Sequence, residues 1–218
     1  MATESKENYI KCIFKLHKKG VKISVSAIAQ ALSISLPSTN SMIKNLHEMG
    51  WIKYEKYKAI EITPKGISKA KSIIRKHRIT EMFLVEKMGF AWNEVHDIAE
   101  EMEHIASEAL FDRMDALLNF PDFDPHGSPI PKKDGEMRKR SALYLHELES
   151  GEKASFLSPK NNSDIKPYFK DFDIPIGEEF LLLNIDSYDQ SRTLQFKNKQ
   201  IEISSILAHQ LQISPVKE

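Results

Sequence analysis

Along the first fifty positions apolar residues recur at helical spacing, broken where short polar residues and glycines cluster. Residues 4–19 carry Tyr9, Ile10, Ile13, Phe14 and Leu16 in one stripe, so the spacing predicts a first helix that Gly20 stops. Ser24-Val25-Ser26 offers N-caps to a short second helix through Ile28, Ala29 and Leu32, and Ser33-Ile34-Ser35 makes a turn. Pro37 suits the first turn of a third helix, where its missing N–H costs nothing. That helix sets Met42, Ile43, Leu46 and Met49 inward and leaves Ser38, Thr39, Asn40, Ser41 and Lys44 for its start and outer face, until Gly50 ends it. From Trp51 to Ile62 large and charged residues alternate around a basic centre, which predicts a two-stranded hairpin.

Helix, helix, turn, helix, hairpin is the order of a winged helix-turn-helix. In that arrangement short polar side chains at the start of the third helix reach base edges in the major groove, and wing lysines grip phosphates. The candidates for the DNA contact are Ser35, Pro37, Ser38, Thr39, Asn40, Ser41 and Lys44, with Lys53, Lys56 and Lys58 on the wing. A trihelical core alone has the same pattern, but the charge separates the two readings. The formal net charge is zero, yet residues 1–80 hold 16 Lys/Arg against 5 Asp/Glu and the remainder holds 15 against 26. The basic part faces a polyanion, and the later part is rich in carboxylates.

Thr63-Pro64 reads as a cap followed by a proline at the first helical position, opening a helix to about Lys87 that Met88-Gly89 stops. It carries His77 and Glu81, four apart and on one face. A further helix starting around Trp92-Asn93 contains His96, Glu100, Glu103 and His104, within an arc of roughly 100°. Val95, Ala99, Met102, Ala106 and Leu110 occupy the neighbouring arc, so the polar stripe borders the buried face. Carboxylates supply hard oxygens and histidine a borderline nitrogen, which is what a divalent-cation site needs; a solvated acidic face is the alternative. The apolar run Ala109, Leu110, Phe111, Met114, Leu117, Leu118 and Phe120 exceeds what one subunit needs and suggests a self-complementary dimer contact, with internal packing as the alternative. Residues 121–140 read as an ordered loop running into a tether. Beyond it Glu179–Ile185, Thr193–Phe196 and Gln200–Ile203 are short strands, with Lys197-Asn198-Lys199 a tight connection. Ile165, Tyr168, Phe169 and Phe172 predict a short amphipathic helix, and the whole has the layout of a small barrel.

With 41% hydrophobic and 28% charged residues the balance is globular, and no apolar run reaches the roughly 20 residues a bilayer span requires. Glu4, Lys6, Glu7 and Lys11 interrupt any signal-peptide core, so the expected location is cytoplasmic. The one cysteine, Cys12, excludes an internal disulfide framework and reads as core filler.

The stretches EKYKAIEITPKG, RKHRITEMFL, EVHDIAEEMEHIASEAL and DPHGSPIP (residues 124–131) resemble the diphtheria-toxin-repressor family of metal-dependent transcriptional regulators, and the likeness runs over nearly the whole chain. The resemblance implies a mainly α fold with a small β part. Its domains would be a winged helix-turn-helix over 1–63, a helical metal-binding and dimerisation domain plus linker over 64–140, and an SH3-like β-barrel over 141–218. It further implies a homodimer on a palindromic double-stranded DNA operator, repressing metal-uptake genes, with no organic cofactor. The primary metal site would draw on Asn8, Glu100, Glu103 and His104. The ancillary site would use His77, Glu81 and His96, with Ser158, Asn161 and Asp164 near enough in sequence to complete it.

Within the family the iron-responsive branch has cysteine where this chain has Glu100 and the manganese-responsive branch has glutamate, which points to Mn(II), with Fe(II) the alternative. Asn8 stands where the branches have methionine or aspartate, and Lys11 where the manganese branch has glutamate. A protonated lysine cannot ligate, so separate primary and ancillary sites are expected instead of a closely spaced two-ion cluster. Two rivals remain. A metalloenzyme would need an open coordination position and a base, but no HExxH, phosphate loop or GxSxG is present. A winged-helix regulator sensing a non-metal ligand would leave the carboxylate face merely solvated.

Overall fold

The computed structural model describes residues 3–56, 58–91, 94–137, 143–157, 168 and 177–216. The first unit comprises residues 1–122 and 130–137, and the second residues 123–129 and 138–218.

In the first unit α1 runs Thr3–Lys18, α2 Val25–Leu32 and α3 Leu36–Glu48. The Ser24 side chain accepts a hydrogen bond from the Ala27 N–H, and Ser33 closes α2 in the left-handed region at φ 56. Pro37 lies in the first turn of α3, as the spacing predicts, and Ser35, the last residue of the expected turn, is its cap. Strands β1 (Ile52–Lys53) and β2 (Glu61–Ile62) pair antiparallel, Ile52 opposite Ile62. Tyr9, Ile10, Ile13, Phe14, Ile28, Met42, Ile43, Leu46, Trp51, Ile52 and Ile60 form one buried cluster with Ala70, Ile73 and Ile74. The last three belong to α4 (Pro64–Met88), which Thr63 caps and Gly89 ends at φ 75.

Helix α4 is the spine of this unit. Its first half completes the winged-helix core, and Ile79 joins a second cluster with Phe111, Met114, Leu118 and Ile130. Between the two apolar stretches it buries Lys76, His77, Thr80 and Glu81. Helix α5 (Val95–Met102) packs along α4, and α6 (Glu108–Leu117) starts from the cap Ser107.

This corrects the expected liganding stripe on one continuous helix. Only His96 and Glu100 lie on α5; Glu103 is its C-cap and His104 sits in the following turn. The Ile105 N–H bonds the Met102 carbonyl in a tight turn, and Ser107 then opens a new helix, so Ala106 lies in the connection and Leu110 on α6. Of the apolar run, Phe111, Met114 and Leu118 are internal core, whereas Leu117 and Phe120 are 63% and 67% exposed.

The second unit contains β3 (Leu143–Tyr144), β4 (Lys153–Phe156), β5 (Glu179–Ile185), β6 (Arg192–Gln195), β7 (Gln200–Ile203), α7 (Ser205–Ala208) and β8 (Gln212–Pro215). Strand β5 covers the predicted residues, and a register shift between Leu182 and Asn184 turns Leu183 outward. The sheet is antiparallel in the order β3-β8-β4-β5-β6-β7. Among the described residues its edges β3 and β7 do not pair, so the SH3-like domain expected as a barrel is an open six-stranded sheet. Phe156, Phe180 and Phe196 pack with tilted rings through its core, with ring centroids 4.7 Å apart for the first pair and 5.5 Å for the last two. Of the helix expected at 165–172, Ile165, Phe169 and Phe172 lie outside the described residues, as do Ser158, Asn161 and Asp164.

Candidate metal centre and DNA-reading face

Three elements of the first unit bring their polar side chains together. Helix α4 contributes His77 and Glu81 from successive turns, and α5 contributes His96. His77 Nε2 lies 3.1 Å from Glu81 Oε1 and 3.2 Å from His96 Nδ1, and His96 Nδ1 lies 3.1 Å from the same Glu81 oxygen. Three donor atoms thus form a nearly equilateral triangle, with Glu81 buried and His96 half exposed. Neighbouring ligands of an octahedral ion held at about 2.2 Å stand about 3.1 Å apart, so this face matches a first-row divalent cation.

The second group surrounds Glu103, which is fully buried. Its Oε2 accepts from His77 Nδ1 at 2.8 Å, and its Oε1 is ion-paired with the Lys11 ammonium of α1. Lys11 also reaches Glu100 Oε1 at 2.6 Å, while Glu100 Oε2 is 3.8 Å from His96 Nε2. His104 Nε2 is 3.6 Å from Glu103 Oε1. Asn8, one turn before Lys11, has a buried Oδ1 with no hydrogen-bond partner among the described residues. A buried carbonyl oxygen without a donor is costly in a protein and is a vacant hard ligand.

Burial lowers and hydrogen bonds raise the His77 pKa, and the bonds to Glu103 and Glu81 win, so it lies above the ordinary imidazole value. For Glu100, burial pushes the carboxyl up, but the Lys11 hydrogen bond outweighs it and holds the group below the usual carboxylate range. Six of the seven predicted ligands, His77, Glu81, His96, Glu100, Glu103 and His104, are therefore gathered into two adjacent groups joined by the His77–Glu103 hydrogen bond, while Asn8 lies one turn before Lys11 on α1.

Sequence reasoning missed Glu7. This buried carboxylate receives His104 Nδ1 at 2.7 Å through Oε2 and Lys69 Nζ at 2.7 Å through Oε1. It fixes the ring that turns Nε2 toward Glu103, the outer-sphere role carboxylates play behind metal-bound histidines. The signal was present, since Glu7 shares the α1 face of Ile10 and Phe14, and an acid on an apolar stripe requires a partner.

On the DNA-reading side Ser35, Pro37, Ser38, Ser41 and Lys44 are exposed along the start and outer face of α3, and Lys53, Lys56 and Lys58 are exposed on the wing. Asn40 is partly exposed and bonds back to the Leu36 carbonyl at 3.2 Å. Thr39 is a correction: it is fully buried, with Oγ1 3.3 Å from the Tyr9 hydroxyl and 3.0 Å from the Ser35 carbonyl it donates to. Its position faces α1, so it secures the helix and is out of reach of a base.

Two matches to known families account for this arrangement. Residues 1–60 match the family described as "Iron dependent repressor, N-terminal DNA binding domain", and residues 63–132 match "Iron dependent repressor, metal binding and dimerisation domain". The iron-dependent repressor IdeR of Mycobacterium leprae is 34% identical over 155 residues, 68% of this chain and 67% of that protein. The diphtheria toxin repressor of Corynebacterium diphtheriae is 25% identical over 231 residues, 96% of each. A solved manganese-dependent transcriptional repressor in complex with manganese superposes with a TM-score of 0.67 at 27% identity, covering 97% of this chain and all of the other. Fold, polar cluster and kinship agree: the chain belongs to the diphtheria-toxin-repressor family of metal-dependent transcriptional repressors, which are not enzymes.

Proposed function

We propose that this repressor is activated by Mn(II), binds a palindromic operator as a homodimer in the cytoplasm, and represses genes of metal-ion uptake. The observation that carries the reading is the Asn8 oxygen: it is buried and, among the described residues, unpaired on the helix that builds the DNA-reading core, while the oxygen and nitrogen donors Glu100, Glu103 and His104 come from α5 and the turn after it. Asn8, Glu100, Glu103 and His104 would hold the primary ion, and His77, Glu81 and His96 the ancillary one. A bound divalent cation supplies a positive centre that carboxylate, amide and imidazole donors from different elements can share.

The chain's own residues convert that into control of DNA binding. Asn8 sits on α1, whose Ile10 and Ile13 anchor the winged-helix core, so pinning Asn8 fixes the orientation of α3 and the wing. The exposed Leu117 at the end of α6 and Phe120 just beyond it supply an apolar surface for a second copy of the chain. A dimer with both heads fixed meets successive major grooves about 34 Å apart, and a few kcal/mol of differential affinity suffices to shift that population. Glu100 favours Mn(II) through its hard oxygen. Fe(II) remains the second reading because IdeR, a relative at 34% identity, is named for iron.

Fluorescence anisotropy with a duplex selected from a random pool tests this, in Mn(II), Fe(II), Zn(II) and chelator. Mn(II) should tighten binding at least tenfold over chelator. Glu103→Ala or His104→Ala should remove that gain while leaving weak, salt-sensitive binding. Equal affinity in Mn(II) and chelator contradicts the reading, and a gain with Fe(II) alone transfers it to iron.

A further inference from the structure

Lys11 is the cation that the described ligand cluster already contains. It is 94% buried, on the same helix as Asn8, and its ammonium bridges Glu100 and Glu103. A carboxylate offers about four lone-pair sites, so each of these groups can hold Lys11 and still bind a further cation. A lysine is rarely buried to this extent unless paired, and here both partners come from α5 and its C-cap.

We propose that Lys11 is a tethered surrogate ion: its ammonium takes one cation position of the carboxylate cluster and links α1 to the end of α5 when no divalent ion is bound. The ligand-bearing elements therefore stay assembled in the metal-free protein, and an incoming ion has only the remaining donors, among them Asn8 Oδ1 and His104 Nε2, to draw in. Lys15 lies one turn further along α1. Burial first, and then the Lys11 charge, lower its pKa while Glu100 and Glu103 raise it, so it shares the field of the same carboxylates and Lys11 holds the contact. The inference rests on the metal-dependent reading above, and its test separates the two.

The test compares thermal unfolding of the full chain, wild type, Lys11→Met and Lys11→Arg, in chelator and in saturating Mn(II). Methionine keeps the length and removes the charge, leaving two carboxylates uncompensated. In chelator Lys11→Met should melt several degrees below wild type, and Mn(II) should raise its melting temperature more than it raises that of wild type, bringing the loaded proteins together. Lys11→Arg should behave as wild type. If Lys11→Met does not fold in chelator, Lys11→Gln, whose amide still hydrogen-bonds, takes its place with the same expectation.

An unchanged metal-free melting temperature overturns the proposal. So does a lowered one combined with an equal Mn(II) shift in both proteins, because Lys11 would then stabilise the fold without standing in for an ion. A Mn(II) shift absent from every protein, wild type included, defeats the metal reading and this inference with it.

Discussion

Glu7 braces His104, one of the proposed primary ligands. Its carboxylate accepts a hydrogen bond from His104 Nδ1 and pairs with the Lys69 ammonium, leaving Nε2 to face Glu103. Glu7→Gln should weaken Mn(II) binding by roughly 10–100-fold in calorimetric titration, the usual cost of losing such an outer-sphere partner. In the metal-free protein the same residue predicts a pH dependence. Burial pushes the Glu7 carboxyl up, but hydrogen bonds from His104 and Lys69 win and hold it below the ordinary value of 4.5. Its stabilisation is then fully present above that value and fades as pH falls through the lowered one. Urea melts in chelator should show a wild-type advantage of about 1–3 kcal/mol over Glu7→Gln at neutral pH, shrinking at more acid pH. A gap that persists unchanged into acid would contradict this.

Helix α4 joins the winged helix to the metal-binding part, and its start has no slack. A Cβ on Gly66 would lie 2.0 Å from the Trp51 carbonyl oxygen, a backbone atom of the hairpin that also accepts hydrogen bonds from the Thr63 N–H and hydroxyl. Gly66→Ala must therefore part α4 from the hairpin. It should cost about 3 kcal/mol or more in chemical denaturation, whereas Ala is ordinarily the better helix former. A stabilised variant would contradict the packing described. Element by element, the helices of the first unit were legible where caps and stops were local: Ser24, Ser35, Thr63-Pro64 and Gly89 mark their ends. The end of α5 at Met102 was not, because Glu103 keeps helical angles and the break comes from the turn behind it and the Ser107 cap of α6. Strands β5 and β7 were legible from alternation, but β3, β4 and β8 pair across long separations, which no local pattern records.

At the scale of the whole molecule, the residue types of the site were readable as a carboxylate and histidine stripe. What they touch depends on how α1 packs against α3 on one side and reaches the end of α5 on the other. That packing turned Thr39 into core, recruited Glu7 behind His104 and placed the Lys11 ammonium between two proposed ligands. It also links the two proposed metal groups, since Glu103 accepts from His77 on one oxygen and pairs with Lys11 on the other. The central claim is that ion binding at this cluster and DNA binding at α3 are coupled through α1, and coupling between two ligands must be reciprocal. The most direct measurement is the Mn(II) dissociation constant of the wild-type chain with and without a saturating duplex, at one salt concentration. The account predicts that DNA tightens Mn(II) binding by the same factor, fivefold or more on the order of known couplings, as Mn(II) tightens DNA binding. Identical Mn(II) affinity in the presence and absence of the duplex would contradict it.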